Sequence, residues 1–394
     1  MDTADTKSVE KKRLLIFIVI AYCVSFLMMI PMYIGKQKGI DLTQIVNAQM
    51  CSPAAGVALG FLVCYKGEKR VPKMFMGVLI VNYVLQIILG LLSVFANPFG
   101  PDDVIDLAKL AGSSGDTAQL TGAQTTLQLS QIYTIIGQYV LIICSVLLWI
   151  GYFVARKEGR KFAGLARNKE GIGILLVLLF IVLYLVRNIG PLMLDGLFNK
   201  TMPIYQQQYS DLIKNPLFIL SLISLPVNYL LTIIAFLGEE YGWRYFLMPR
   251  LTKKFGGRLG VIILGVIWGL WHLPINMFFY SPDTALQSIV LQVIACICFA
   301  IFFAWAYYKT DCNIWVVTAI HFFNNNLGAC FTEGGDGSNQ TYTWEMVGIM
   351  ALLYIALVAL PFIFSKVFSK KGVPSFEKEA TVALASEQEA IETV

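Results

Sequence analysis

Long apolar runs recur along the whole chain, and they restrict its fold more than any other feature of the sequence. Each run is close to the roughly 20 residues that an α-helix needs to cross the hydrocarbon core of a bilayer. The chain of 394 residues is 57% hydrophobic, with a mean hydropathy of +0.67, whereas soluble domains are roughly 45–50% apolar. We therefore predict an all-α polytopic membrane protein with about ten transmembrane helices. The predicted spans are 14–35, 47–65, 74–96, 131–154, 172–194, 216–238, 259–280, 285–308, 313–331 and 345–367.

Lysine and arginine are concentrated in alternate loops between these spans. Basic stretches precede the first span and follow the second, fourth and sixth spans, with the sequences KKR, KGEKRVPK, RKEGRK and RLTKKFGGR. The loops at 97–130, 280–283 and 332–342 are poorer in basic residues. Cytoplasmic loops of membrane proteins carry the excess of Lys and Arg, so we predict cytoplasmic N- and C-termini and an external polar loop near 97–130. The net charge of +5 follows from this loop pattern, and no nucleic-acid partner is predicted.

The chain is predicted to contain three parts. Residues 1–171 form N-terminal membrane helices that carry no recognisable motif, and 172–371 form a second membrane domain that carries the motifs described below. Residues 372–394 form a polar cytoplasmic tail. None of the eight cysteines belongs to a C-x-x-C pair, so neither a disulfide framework nor a thiolate metal site is predicted.

The stretch GEEYGWR, residues 238–244, puts two carboxylates and an arginine at the end of the sixth predicted span. Charges in or near the hydrocarbon are costly, usually face a cavity or one another, and by default indicate function. Glu240 and Arg244 are four residues apart and share a helical face, which predicts an ion pair. Glu239 lies about 140° around the helix from Arg244 and is predicted to stay free.

The chain has only two histidines, His272 and His321, and both lie inside predicted spans. With a helical rise of about 1.5 Å per residue, Glu239, His272 and His321 lie roughly 18, 20 and 12 Å from the cytoplasmic ends of their helices. Three separate helices are thus predicted to bring their unusual residues to similar depths in the membrane.

Two further residues share a helical face with the histidines. Trp268 lies four residues before His272, and Asn325 lies four residues after His321, so each pair is predicted to be adjacent on its helix. The indole ring is expected to form the wall beside His272, and the amide adds a hydrogen-bond donor beside His321. Pro274 removes a backbone hydrogen bond and is predicted to bend the helix just past His272.

A carboxylate, two imidazoles and an amide in a partly dry cavity suit the attack of water on an amide bond. The carboxylate can act as general base, and a histidine with an asparagine can donate to a developing oxyanion. No serine or cysteine stands in an obvious nucleophile motif, so covalent catalysis is less favoured. Three alternatives stay open: a zinc site with one Glu and two His ligands, a proton-coupled transporter and a non-catalytic immunity or scaffold protein.

The motifs together resemble a known family. In chain order the sequence carries E-E-x-x-x-R, then W-x-x-x-H, then H-x-x-x-N, on successive predicted membrane helices. This arrangement is similar to that of the CPBP (CAAX protease and bacteriocin-processing, or Abi) intramembrane proteases, which include the type II CAAX prenyl endopeptidases. The resemblance extends from Glu239 to Asn325 and uses every histidine of the chain. One departure is Trp268, which stands where phenylalanine is common in the family.

The resemblance implies an intramembrane endopeptidase and a role for each motif residue. Glu239 and His272 are expected to activate water, and His321 and Asn325 are expected to form an oxyanion hole. Glu240, Arg244 and Trp268 are expected to support these catalytic residues. We expect no cofactor, while zinc held by Glu239, His272 and His321 is the alternative.

The resemblance also implies partners and a location. The expected partners are a membrane-anchored peptide or protein substrate and the lipid bilayer. The chain lacks a eukaryotic retention tail, so we expect an integral protein of a bacterial plasma membrane, with the active site toward the cytoplasmic side. The sequence predicts neither the natural substrate nor the oligomeric state.

Overall fold

The computed structural model describes residues 3–96, 104–106, 126–198, 200, 202–331 and 337–369. The predicted tail at 372–394 lies outside the described residues, as does most of the predicted external loop at 97–130. Within that loop, two short strands pair antiparallel, with Val104 opposite Gln128. They are β1 (Val104–Asp106) and β2 (Thr126–Gln128).

The N-terminal part of the chain is otherwise helical. A π-helical segment, Val19–Val24, continues the first helix. The helices are α1 (Thr3–Ile18), α2 (Ser25–Leu27), α3 (Met29–Gln37), α4 (Thr43–Cys64), α5 (Lys73–Phe95), α6 (Leu129–Val154) and α7 (Lys157–Phe162).

The C-terminal part is helical as well, and three of its helices continue into π-helical segments, Tyr241–Leu247, Asn276–Tyr280 and Tyr354–Ala359. A helix at Met202–Lys214 stands where the sequence predicted only a loop. The helices are α8 (Glu170–Phe198), α9 (Met202–Lys214), α10 (Pro216–Glu240), α11 (Met248–Phe255), α12 (Gly257–Trp271), α13 (Leu273–Ile275), α14 (Ala285–Lys309), α15 (Ile314–Asn326), α16 (Trp344–Leu353) and α17 (Leu360–Ile363).

The predicted helical membrane fold is confirmed. Within the described residues, nine helical segments are long and apolar enough to cross a membrane. The segments are Lys7–Gln37, Thr43–Cys64, Lys73–Phe95, Gln131–Val154, Glu170–Leu194, Pro216–Phe255, Gly257–Tyr280, Pro282–Lys309 and Trp344–Ile363. They overlap nine of the ten predicted spans.

The remaining predicted span, 313–331, contains the short helix α15. Its 13 residues rise only about 20 Å, less than the roughly 30 Å of hydrocarbon. The chain nevertheless runs from one end of the bundle to the other between α14 and α16. Backbone N–H groups of Asn339 and Gln340 donate to the carbonyls of Phe279 and Tyr280, at the opposite end of α14 from the start of α15. The alternation expected of ten segments is thus kept.

The predicted external loops lie together at one end of the bundle. A cleft there is lined by residues 39–42, by Gln131 at the start of α6, by Pro282, and by residues 338–339. A second cavity is lined by the basic segment at 157–168 and by Cys312, which lies at the other end of α14. Loops that the charge pattern assigned to one side therefore share one end, while the membrane side that each end faces stays a prediction.

Two G-x-x-x-G pairs fix the helices that carry the motifs. Gly238 and Gly242 face α4, and Gly265 and Gly269 face α14. A Cβ on Gly238 would lie 2.6 Å from a backbone oxygen of α4, and one on Gly265 would lie 2.4 Å from a backbone carbon of α14. Such small residues let membrane helices approach closely. They set the depth and rotation of the segments that bear Glu239 and Trp268.

Neutral polar side chains join the N-terminal helices to one another and to α12. The Gln44 side chain donates to Gln86 Oε1 over 2.5 Å, and Gln86 donates to the Gly137 carbonyl over 2.9 Å, which links α4, α5 and α6. Gln49 Nε2 donates to the carbonyl of Trp271 over 2.8 Å. In hydrocarbon a polar group needs such a partner, so these bonds hold α4 against the end of α12.

Candidate active site

Glu239 lies in the last turn of α10, directly before a π-helical segment, and it is buried. Trp268 Nε1 donates to Glu239 Oε2 over 2.7 Å, and Trp243 Nε1 donates to the same oxygen over 3.4 Å. Among the described residues Glu239 makes no ion pair with Arg244, as predicted, but the two indoles are partners that the sequence did not predict. Trp243 follows Glu239 by four residues and could have been found from the sequence, since such residues share a helical face.

The contacts of Glu239 still leave one oxygen for chemistry. Both indole groups bind Oε2, and no described residue makes a hydrogen bond to Oε1. Glu239 also lines a cavity among the helices, which is described below. The carboxylate is thus held in one orientation, with Oε1 as the oxygen that can accept a proton from a water molecule in the cavity.

Glu240 contacts Arg244, as its spacing predicted, and it also contacts His321. Arg244 Nε lies 3.0 Å from Glu240 Oε2, but its N–H does not point at that oxygen, so the pair is held by charge rather than by an aligned hydrogen bond. His321 Nδ1 lies 2.8 Å from Glu240 Oε1. The second contact joins residues 81 positions apart, and nothing in the sequence indicated it.

Arg244 is fully buried, with 0% of its side chain exposed. Its guanidinium carbon lies 4.5 Å from the ring centre of Trp268 and 5.1 Å from that of Phe303. Within the described part of the chain, none of its guanidinium nitrogens has a hydrogen-bond acceptor. Cation–π attraction strengthens when both groups are desolvated, so these rings and the Glu240 carboxylate stabilise the buried charge.

His272 stands at the break between α12 and α13, where the helix turns. Pro274 follows two residues later, and the α-helix is interrupted at His272, next to the predicted bend. His272 Nδ1 lies 2.9 Å from the carbonyl oxygen of Trp268. A carbonyl can only accept, so we assign the proton to Nδ1, which leaves the lone pair on Nε2. Nε2 is then the nitrogen available to a water molecule in the cavity.

The predicted catalytic residues and one supporting residue line one cavity. It has a volume of about 620 Å³ and is lined by Glu239, Trp268, His272, His321 and Asn325, among others. Asn325 is exposed, whereas both histidines are buried. The rings of Trp268 and His321 lie edge to face, with centres 5.8 Å apart. Residues from α10, α12 and α15 therefore meet, as the estimate of their depths predicted.

The same cavity extends to one end of the helix bundle. Its wall includes Thr43, Tyr280, Gln340 and Tyr342. These residues lie at the end that carries the loops near 280 and 340, away from the basic loops. The cytoplasmic position of the active site stays a prediction, but the cavity itself leads toward the end that the loop charges assign to the outside.

Two amide groups in the cavity wall were missed by the sequence analysis. Asn47 on α4 and Asn324 on α15 both line the cavity. Asn47 Nδ2 and Asn324 Oδ1 are buried atoms without a hydrogen-bond partner among the residues that the structure describes. A buried polar atom is rarely left unpaired. The Asn47 donor and the Asn324 acceptor are therefore available to bind a polar ligand in the cavity. In the sequence, Asn47 stands in an apolar run and Asn324 stands in the asparagine triplet that contains Asn325.

The zinc alternative was tested against the positions of its three proposed ligands. In the ranges that the structure covers, no three His, Cys, Asp or Glu side chains are grouped closely enough to hold a metal ion. The contacts of Glu239, His272 and His321 to Trp268, a backbone carbonyl and Glu240 occupy Oε2 and the two Nδ1 atoms and leave Oε1 and both Nε2 atoms open. Contacts of this kind also orient metal ligands, so only the spacing of the three side chains counts against zinc, and the absence of a metal stays a prediction.

Comparison with known proteins gives a match for the segment that contains the motifs. Residues 220–327 match the family described as type II CAAX prenyl endopeptidase, Rce1-like. The match covers about a quarter of the chain and lies inside the predicted domain at 172–371, whose boundaries stay a prediction. Searches of curated proteins and of solved structures each gave no match. The segment at 220–327 of this membrane protein is thus similar to the Rce1-like type II CAAX prenyl endopeptidases, a match that is consistent with the resemblance to the CPBP family.

Proposed function

We propose that the protein is an intramembrane endopeptidase that hydrolyses a peptide bond of a membrane-associated protein or peptide. The observation that carries the proposal is a single cavity among membrane helices that is lined by Glu239, His272, His321 and Asn325. The match to a protease family supports the same conclusion. A general base and oxyanion donors side by side are what attack of water on an amide requires.

Glu239 and His272 activate the water in this proposal. Oε1 of Glu239 and Nε2 of His272 are the two basic atoms that remain after the fixed contacts to Trp268 are made. The water is held between them and loses a proton to Glu239 as its oxygen attacks the carbonyl carbon. The proton then passes to the leaving amine, which completes the hydrolysis.

His321 and Asn325 stabilise the oxyanion of the tetrahedral intermediate. Glu240 accepts a hydrogen bond from Nδ1–H of His321. The protonated ring also carries a proton on Nε2, and this second N–H donates toward the cavity. The Asn325 side-chain amide supplies a neutral donor next to it. Glu240 and Arg244 act through His321 and do not line the cavity, which makes them positioning residues.

Asn47 and Asn324 bind the backbone of the substrate in this proposal. An extended peptide offers both carbonyl oxygens and N–H groups, and these side chains supply one unpaired donor and one unpaired acceptor. α4 and α15 both pack against α10, so the two amides hold a peptide next to the helix that carries Glu239. The N-terminal helices thus contribute to substrate binding although they lie outside the matched segment.

We place the enzyme in a bacterial plasma membrane, with its catalytic groups within the spans. The side from which a substrate enters is tested by single-cysteine labelling in intact cells. Labelling of positions near 340 from outside and of positions near 253 from inside is expected from the loop charges. The reverse pattern would overturn the predicted orientation.

The function is tested by comparing membrane peptides from cells that contain wild-type protein or Glu239→Gln. New peptide termini that occur only with the wild type are expected, together with an uncut precursor that accumulates with the variant. The Asn82→Ala variant is the matched control, since Asn82 is a buried amide of α5 that does not line the cavity. Identical termini in all three samples would sink the proposal and favour a transporter or a non-catalytic protein.

The metal-free mechanism is tested with the purified enzyme. Activity is expected to survive a strong chelator, and elemental analysis is expected to find no stoichiometric zinc. Activity that is lost on chelation and restored by zinc would overturn the metal-free mechanism, and Glu239, His272 and His321 would then be ligands.

A further inference from the structure

A second cavity, at the opposite end of the bundle from the loops near 280 and 340, has a basic lining. We call it the basic cavity. It has a volume of about 440 Å³, and four cations contribute to its wall: Lys157, Arg160, Lys161 and Arg167. No acidic side chain of the described residues lines it. Arg167 also pairs over 2.9 Å with Glu170, which does not line the cavity. A concave site whose lining has four cationic side chains and no acidic one favours an anion.

The basic cavity is built by tertiary contacts rather than by surface side chains alone. Its roof is the segment from α7 to Asn168, and four backbone carbonyls of this segment accept hydrogen bonds from buried or partly buried side chains below, one of them over 3.4 Å from Tyr245. Tyr241 donates to Ala163 over 2.7 Å, Trp315 donates to Leu165 over 3.0 Å, and Asn313 donates to Asn168 over 2.7 Å. The segment is therefore held at a fixed distance from the helices.

A tight turn lets this roof lie on the helix that carries Arg244. Gly164 has a φ of +67°, and a Cβ at this position would lie 2.1 Å from the ring of Tyr245. Tyr245 itself lines the basic cavity. A side chain at position 164 would be strained by the backbone angle and blocked by the ring, so glycine allows the close approach that closes the cavity.

The walls of the basic cavity are aromatic, and the surface beside it is apolar. Tyr152, Tyr245 and Tyr307 line it, and the Arg160 guanidinium stacks on Tyr152 at 4.8 Å. At the end of α6, Phe153 and Val154 are 66% and 69% exposed. Exposed apolar side chains at the end of a membrane helix face lipid acyl chains, so cationic groups and acyl-chain contacts lie side by side.

We propose that the basic cavity binds the phosphate headgroup of an anionic phospholipid, whose acyl chains lie against the end of α6. Basic pockets between membrane helices are suited to anionic lipid headgroups. A free phosphate ion has the same charge chemistry as the headgroup, but it has no acyl chains to contact Phe153 and Val154. The site lies apart from the catalytic cavity and does not depend on the proposed protease activity.

The test uses the full chain, purified in a neutral detergent and supplied with phosphatidylglycerol or phosphatidylcholine. Lipid retention is measured by native mass spectrometry, and the unfolding temperature is measured in parallel. Wild type is expected to retain phosphatidylglycerol preferentially and to unfold at a higher temperature with it. The variant Lys157→Gln/Arg160→Gln is expected to bind it about 30-fold more weakly, since each cation near a membrane surface contributes about fivefold.

The matched control is Lys253→Gln/Lys254→Gln, which removes two exposed cations from the last turn of α11. The control is expected to keep the preference for phosphatidylglycerol. The proposed lipid site would be wrong if the control lost as much phosphatidylglycerol binding as the double variant. It would also be wrong if wild type retained both lipids equally. If inorganic phosphate alone stabilises the wild type and displaces the lipid, the proposal of a lipid ligand is wrong and the cavity binds a free ion. If the double variant does not fold, Lys157→Gln alone, at an exposed position, is expected to bind about fivefold more weakly.

Discussion

Buried polar residues occur both in the N-terminal helices and in the matched segment at 220–327, but they differ in kind. In α4 and α5 they are neutral amides such as Gln44, Asn82 and Gln86, which bond to one another, to a thiol or to backbone carbonyls. In the matched segment they include Glu239 and Arg244, which are ionisable.

The two sets do different work because a charge and an amide have different needs in hydrocarbon. An amide is satisfied by one or two hydrogen bonds across a helix interface, so it joins helices. A charge needs an opposite charge, an aromatic ring or water, so it collects beside a cavity. A polar residue in a span is therefore weak evidence of a catalytic site, whereas an ionisable residue is strong evidence. Two residues are exceptions. Asn47 is an N-terminal amide in the cavity wall, and Arg13 of α1 is a buried cation that pairs with Glu10 and does not line the cavity.

The largest effect is expected at the water-activating residues. His272→Ala removes the basic nitrogen beside Glu239 and is expected to lower the cleavage rate by about 10²–10⁴, with little change in folded yield. Cleavage of a substrate identified by the peptide comparison is followed by mass spectrometry. A variant that cleaves at the wild-type rate would exclude His272 from water activation.

Arg244→Ala is expected to have the next largest effect, on folding rather than on chemistry alone. It leaves the Glu240 carboxylate buried without its cation, which costs about 3–5 kcal/mol. Thermal unfolding of the purified protein measures the loss, and Glu239→Gln is expected to unfold near the wild-type temperature. Equal unfolding temperatures for wild type and Arg244→Ala would show that the pair has no structural role.

Gln86→Leu tests the neutral set. It removes the acceptor of Gln44 and is expected to lower the free energy of unfolding by about 1 kcal/mol, the usual size of such bonds between membrane helices. Activity per folded molecule is expected to stay at the wild-type level. The double change Gln44→Leu/Gln86→Leu is expected to recover stability, because neither side-chain amide is then left buried without its partner. A loss of activity per folded molecule would contradict the division between the two sets.

Asn47→Ala is expected to give the smallest effect and tests the first exception. Loss of one hydrogen bond to the substrate backbone is expected to raise KM about fivefold, with a smaller change in kcat and in unfolding temperature. Asn82→Ala is the control, since it removes a buried amide of the neighbouring helix and is expected to leave KM unchanged. Equal changes in KM for both variants would remove Asn47 from substrate binding.

The sequence predicted the sites of local pairs but only part of their contacts. Spacing of four residues predicted the pair of Glu240 with Arg244, and helical rise brought Glu239, His272 and His321 to similar depths. The same reasoning gave Glu239 no partner, because it considered each helix alone. The Trp268 indole that binds Glu239 comes from another helix, and its position follows from the packing of Gly238 and Gly265.

Sequence alone determined the helical membrane fold, nearly all spans and the identity of the ionisable residues, because hydrocarbon requires long apolar helices and makes every charge conspicuous. Tertiary structure decided which atoms meet. It joined Glu240 to His321, assigned the proton-bearing nitrogen of His272, brought Asn47 into the cavity and folded the basic segment over Tyr245. These contacts link residues far apart in the chain, and their geometry depends on helix rotations of a few tens of degrees, which close packing at glycines fixes and a residue pattern does not encode.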